Sequence, residues 1–267
     1  IGEYSAYTVQ SIKLGENDLG TDIANLNLSS IASNTQLHGE QDIIVTLDKG
    51  NMGTALTVPV TIVTKIITTA DEFMVLMPKT ASEETFGYYE LGKDLGGADY
   101  IVGANGRSIG RNLSAVSAEL GFRGTIDGRG YTFTFSFAVT NIDTGTSDQY
   151  GVFGFMGTGA TVKDITIVCD NIRTDTGTHF LGQNVQGANF TNVTIVFNKV
   201  YSRYAAALMA PSITNSTFTN VDIVIRNMEM KWEVTPIVFA GAVNSYDGVS
   251  AFSGNVFTDT VVHLFTG

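Results

Sequence analysis

Phe190-Thr-Asn-Val-Thr-Ile-Val196 decides the fold, because the chain repeats it. Val162-Lys-Asp-Ile-Thr-Ile-Val168 begins 28 residues earlier and Phe218-Thr-Asn-Val-Asp-Ile-Val224 begins 28 residues later. A further copy, Phe257-Thr-Asp-Thr-Val-Val-His263, follows after a longer step of 39. A second element keeps the same phase: Val152-Phe-Gly154, Phe180-Leu-Gly182 and Leu208-Met-Ala210 are again 28 apart. A fixed period of this size marks stacked structural units. The unit is rich in β-branched residues and has no 3.6-residue periodicity, so it is built of strands and not of paired helices.

At about 3.3 Å per residue, 28 residues make three short strands with their corners, which is one turn of a parallel β-helix. Alternation assigns the interior: Ile165, Ile167 and Cys169 stack on Val193, Ile195 and Phe197, and those on Val221, Ile223 and Ile225. Between the apolar start of each repeat and its strand stands Asp164, Asn192, Asn220 or Asp259. Asn and Asp tolerate the left-handed backbone of a sharp corner and bond along a stack, so these four are expected to form a structural ladder.

Upstream, Phe122-Arg-Gly-Thr-Ile-Asp-Gly-Arg-Gly-Tyr131 leads into the alternating Tyr131 to Phe137. With Tyr150-Gly-Val-Phe-Gly154 and Ala160-Thr-Val-Lys-Asp-Ile-Thr-Ile167, this resembles the GLUG-type and pectate-lyase-like β-helix repeats of bacterial surface proteins. The resemblance covers roughly residues 68 to 267, with Val152 where Leu is usual and a long last coil. It implies a right-handed parallel β-helix at a cell surface and implies no reaction.

The segment from Ile1 to Ile67 reads differently. Short alternating strands are expected at Tyr7 to Leu14, Ala24 to Ile31, Asp42 to Leu47 and Leu56 to Thr64, with Pro59 marking an edge or a bulge. Their spacing predicts a small β-sandwich. The segment resembles the end of a bacterial immunoglobulin-like domain. Thr69-Ala-Asp-Glu72 is a capping box ahead of Phe73 to Met77, which predicts a capping helix over about 69–77, ending before Pro78. The fold class expected is therefore all-β, a sandwich over 1–67 followed by a capped β-helix over 68–267 with repeats from about residue 122.

Composition narrows the partners. The 267 residues carry 15 Lys+Arg against 26 Asp+Glu, a net charge of −11 with no basic cluster, which argues against nucleic acid and anionic membrane surfaces. No apolar run reaches the roughly 20 residues of a membrane-spanning helix, so no membrane insertion is expected. Cys169 is the only cysteine, which excludes an internal disulfide and a thiolate metal site. The chain opens at Ile1 without a Met or a leader segment, as expected of a processed form or a piece of a longer protein. No metal and no cofactor are expected. The acidic, Thr- and Gly-rich composition with a single cysteine points to an extracellular or cell-surface setting, and a monomer is expected.

No catalytic constellation stands out. The carboxylates of the β-helix region include Asp127, Asp143, Asp148, Asp164, Asp170, Asp175 and Asp222. Asp127 is explained by its Asp-Gly turn, and His38, His179 and His263 lack a second His at metal-ligand spacing. The Gly124 to Gly130 stretch opens no helix and carries no phosphate-loop Lys. Asp170, Asn198 and Arg226 recur at the 28-residue period, so they line up on one corner as a sugar-binding candidate or, more plainly, a solvated edge. The long last repeat adds a loop containing Asn244, Tyr246 and Asp247, the residue types that meet sugar hydroxyls and C–H faces. Trp232 alternates with charged neighbours on an apolar face and is expected in the core, while Tyr88 and Tyr89 face opposite sides, leaving one exposed. The function expected is a non-enzymatic surface module, an adhesin or glycan-binding component with a glycan, host or cell-surface partner. The alternatives are a polysaccharide lyase or glycoside hydrolase of the β-helix class and a structural spacer.

Overall fold

The computed structural model describes residues 7–49, 52–77, 84–102, 121–137, 152–174, 180–202, 208–210, 212–230 and 252–265. The chain is predominantly β and divides into two compact units, Ile1–Lys65 and Ile66–Gly267.

The first unit is a four-stranded antiparallel sheet of β1 (Thr8–Leu14), β2 (Asn17–Gly20), β3 (Gly39–Lys49) and β4 (Met52–Ile62), in the order β2-β1-β3-β4. Alternation puts Val45 and Leu47 on the face that also buries Ile12, Leu14 and Leu19. Pro59 sits on β4, an edge strand, where a residue without an N–H is tolerated. Among the described residues this unit has one sheet, where a two-sheet sandwich was expected. The strand expected over Ala24–Ile31 is instead a run of turns leading into the short helix α1 (Ser29–Ala32). The reason is local: the Asp22 carboxylate accepts from Ala24 N, and Asn27 Oδ1 accepts from both Ser29 N and the Ser29 hydroxyl. Such side-chain bonds give the backbone an alternative to a ladder. The apolar signal still marked burial, since Ile31 is 3% exposed and Leu26 packs against the same core.

In the second unit the chain visits three sheets in turn. The long sheet carries Tyr88–Leu91, Thr125–Asp127, Thr161–Cys169, Asn189–Phe197, Thr217–Ile225 and Val256–Leu264, all paired in parallel, with Lys65–Ile67 at its far edge. The strands Leu95–Val102 and Thr132–Phe137 branch from it. A second parallel sheet runs through Gly121–Phe122, Gly154–Met156, Gly182–Gln186, Ser212–Thr214 and Phe252–Ser253, and a third pairs Ile172–Thr174, Val200–Ser202 and Met228–Met230. Each sequence repeat makes one circuit, which lies one strand spacing above the last. The register is the one that the repeat demands: Ile165 beside Val193, and Val193 beside Val221. The second element forms its own ladder, with Val152 N donating to Phe180 O and Phe180 N to Leu208 O.

Side chains then stack by type. The rings of Phe190 and Phe218 lie 4.8 Å apart and 5° from parallel. Phe133, Phe135, Phe180 and Phe197 join the same buried core. Full burial of each such ring contributes about 2–3 kcal/mol. At the opening of the stack sits α2 (Ala70–Val75), whose capping box is complete: Glu72 N donates to Thr69 Oγ1 at 3.1 Å and Thr69 N to Glu72 Oε2 at 3.1 Å. The helix buries Phe73 and Met74, with Phe73 4.7 Å from the Phe133 ring.

Candidate functional site

The long strands end at a corner where three side chains meet. The backbone fixes their places: Asp170 N donates to Phe135 O, Asn198 N to Cys169 O and Arg226 N to Phe197 O. Asn198 Nδ2 then donates to Asp170 Oδ1 at 2.8 Å, and Arg226 Nη1 to Asn198 Oδ1 at 3.1 Å. The structure thus brings together the carboxylate, amide and guanidinium that the repeat places at one phase. Asp170 and Asn198 are half-buried and Arg226 is exposed. A guanidinium has five N–H donors, so Arg226 keeps donors for an oxygen-rich ligand after serving Asn198.

A second column crosses the same strands at a bend within each of them. Asp164, Asn192, Asn220 and Asp259 have φ between 48° and 54°, the left-handed region that Asn and Asp tolerate best. Asn192 Nδ2 donates to Asp164 Oδ1 at 2.7 Å and Asn220 Nδ2 to Asn192 Oδ1 at 2.9 Å. Both amide donors point toward the earlier coil and the series ends on the Asp164 carboxylate, while Asp259 shares the left-handed backbone but has no donor to extend it. This column is structural.

Sequence reasoning missed a third group. Asp127 is 4% exposed. Its Oδ1 accepts from Arg129 N at 2.9 Å, the turn bond expected of an Asp-Gly pair. Its Oδ2 accepts from the Tyr88 hydroxyl at 2.7 Å and lies 3.6 Å from Lys163 Nζ, which sits over the Tyr88 ring at 5.3 Å. Turn geometry alone therefore does not account for Asp127. Register creates the group, since Asp127 pairs with Glu90 on one side and Lys163 on the other. The signal was hidden because Lys163 follows Asp127 by 36 residues, outside the 28-residue period. Tyr88 and Tyr89 are both buried, correcting the expectation that one is exposed. Tyr89 enters the core and donates to Phe86 O, while Tyr88 is covered by the Asp127 and Lys163 side chains.

Burial pushes the Tyr88 phenol up to about 12, against an ordinary value near 10. The folded state therefore favours the neutral phenol. This contribution is full below about pH 10 and is lost as pH rises through about 12. Denaturant midpoints of the wild type should fall more steeply than those of Tyr88→Phe between pH 10 and 12. Parallel curves would remove Tyr88 as the cause.

The remaining candidates do not assemble with these. Asn244, Tyr246 and Asp247 lie outside the described residues, as do Trp232, His179, Asp143, Asp148 and Asp175. His38 clips its own unit together, with Nδ1 2.6 Å from Thr64 Oγ1 and Nε2 2.9 Å from Ile31 O. His263 Nε2 lies 3.9 Å from Asp222 Oδ1, both half exposed. Cys169 is buried, and burial with Asp170 nearby pushes its thiol well above the ordinary range, so it packs as a small apolar group. Gly124 to Gly130 run through a strand and its corner, not into a helix N-terminus. Among the described residues no group of three or more His, Cys, Asp or Glu is placed to hold a metal ion, and no helix is long and apolar enough to cross a membrane. Comparison with protein-family models, curated proteins and solved structures finds no match to this chain.

Proposed function

We propose that this chain is a non-enzymatic extracellular surface module, an adhesin or glycan-binding component. In this reading an immunoglobulin-like segment precedes a right-handed parallel β-helix of the GLUG-type or pectate-lyase-like kind, headed by the capping helix α2. The Asp170, Asn198 and Arg226 column carries the reading. It sets an acceptor, an amide and a guanidinium on successive coils about 4.8 Å apart, each held by the next. Sugar hydroxyls need such fixed donors and acceptors, and a rigid stack presents them with little ordering cost. The acidic surface and modular order agree with an extracellular setting.

A glycan array probed with the intact chain should show binding to a restricted set of saccharides. Arg226→Ala should weaken it by about tenfold, the loss of one charge-assisted hydrogen bond, without lowering the melting temperature by more than a few degrees. An array blank across mammalian, plant and microbial glycans would reject glycan binding and leave the spacer reading. The enzymatic alternative draws on a different observation, the Tyr88, Asp127 and Lys163 group, because a phenol beside an amine and a carboxylate is proton-transfer chemistry. Release of unsaturated oligosaccharide from acidic polysaccharides, abolished by Lys163→Ala, would establish that alternative and displace the binding module.

A further inference from the structure

The corner that holds Asp170, Asn198 and Arg226 carries a second column one residue further along the chain. Asn171, Lys199 and Asn227 recur at the same 28-residue step. Backbone bonds fix their level: Ile172 N donates to Lys199 O at 2.9 Å and Val200 N to Asn227 O at 2.9 Å. Val200 is 3% exposed, so alternation turns its neighbours Lys199 and Tyr201 outward. Lys199 and Asn227 are exposed, and Asn171 and Tyr201 are half-buried. Lys199 therefore stands one coil before Arg226 and one residue to the side, roughly 6 Å away between Cα atoms at ordinary strand spacing.

Two cations set side by side on a sheet repel, so this arrangement costs stability. Elsewhere in the unit a cation meets a carboxylate: Arg123 Nη1 lies 3.7 Å from Glu84 Oε1 and Lys163 Nζ 3.6 Å from Asp127 Oδ2. Among the described residues neither Lys199 nor Arg226 has a carboxylate at ion-pair distance, in a chain with 26 Asp+Glu. Asp170 stands two coils from Arg226 and accepts from Asn198 Nδ2, and Glu229 pairs with Tyr201 on the third sheet. The two cations thus form a small positive site edged by the amides of Asn171, Asn198 and Asn227. Two are too few for nucleic acid, which needs a row of them, and a net charge of −11 repels a long polyanion. A lone anionic group on an otherwise neutral sugar chain meets both conditions. A carboxylate has two oxygens in one plane, which a single guanidinium fork serves. A sulfate ester has three terminal oxygens on a tetrahedron, and these accept from side chains arriving off two coils.

We propose that Lys199 and Arg226 together hold the sulfate ester of a sparsely sulfated glycan, with the three asparagines meeting the hydroxyls of the same sugar; this rests on the glycan-binding reading and names its ligand class. The probes are galactose and N-acetylglucosamine oligosaccharides, each in sulfated, unsulfated and 6-carboxylate form, arrayed against the intact chain. The sulfated forms should bind at least about tenfold more tightly than the other two, the worth of one charge-assisted hydrogen bond. Added salt should weaken them, since the site is exposed. In calorimetric titration of a sulfated probe, Lys199→Ala should lose about tenfold and Lys199→Glu should abolish binding, with circular dichroism unchanged. Lys199→Arg should keep it. Lys13→Ala, an exposed cation of the first unit, should have no effect. Equal binding of the sulfated and unsulfated forms, or preference for the carboxylate, overturns the sulfate inference and leaves glycan binding standing. A blank array overturns both. A loss on Lys13→Ala as large as on Lys199→Ala also overturns the inference, because the attraction is then spread over the whole chain.

Discussion

Phe218→Ala is expected to destabilise the stacked unit by about 3–5 kcal/mol, the cost of removing a buried aromatic side chain and leaving its cavity. Phe218 is 1% exposed, and its ring lies between those of Phe190 at 4.8 Å and Phe257 at 4.9 Å, within 8° of parallel to both. Neither neighbour can tip into the gap without leaving its own coil, because each is fixed by a parallel ladder on both strand edges or on one. The site therefore collapses poorly, which places the cost high in its range. At roughly 2–4 °C per kcal/mol for a unit of this size, the melting temperature should fall by about 6–20 °C. Thr219→Ala, the next and outward residue on the same strand, should stay within about 0.5 kcal/mol. Equal losses for the two variants in a denaturant titration would mean that the aromatic column carries no special share of the stability.

Gly128→Ala should cost about 3 kcal/mol, the upper end for overpacking. Its backbone has no unusual φ, so conformational freedom is not the reason for glycine here. A Cβ at this position would lie 2.4 Å from Ile165 Cβ and 2.5 Å from the Asp164 carbonyl oxygen. Both atoms belong to the ladder to which Gly128 N donates, through Lys163 O at 2.8 Å, so neither can retreat without breaking the register. Gly130→Ala is the contrast. Gly130 has φ of +82° with open space around its missing Cβ, so alanine there meets only backbone strain of about 1–2 kcal/mol. Thermal unfolding of the two variants should rank them in that order, and a milder loss for Gly128→Ala than for Gly130→Ala would show that the coils can separate at this corner.

Legibility followed the period. Every feature that returns once per repeat could be placed in three dimensions from the sequence: the inward Ile, Val and Phe rows, the left-handed Asp and Asn corner, and the Asp170, Asn198 and Arg226 column. One circuit of the chain equals one strand spacing, so sequence separation becomes spatial contact. Where the period breaks, that conversion fails. Asp127 and Lys163 meet across a step of 36, and the Tyr88 hydroxyl reaches Asp127 across 39. Alternation also tells which side of a strand a residue faces, but not what covers that side. Tyr88 is buried on the outer face because Lys163 and Asp127 lie over it. In the first unit, Leu26 and Leu28 have the spacing of a strand, yet the Asx bonds of Asp22 and Asn27 won locally and left turns and a helix.

The sequence by itself determined that this protein is β-rich, that its second part stacks in parallel with one circuit per repeat, and that a capped helix stands before the stack. Repetition, alternation and a capping box are local or periodic properties, and backbone sterics turn each into a single geometry. Only the tertiary structure decided which polar groups spend their hydrogen bonds on one another and which glycine is required by a neighbour's backbone. Those outcomes depend on contacts between residues with no fixed sequence separation, and burial decides their energy.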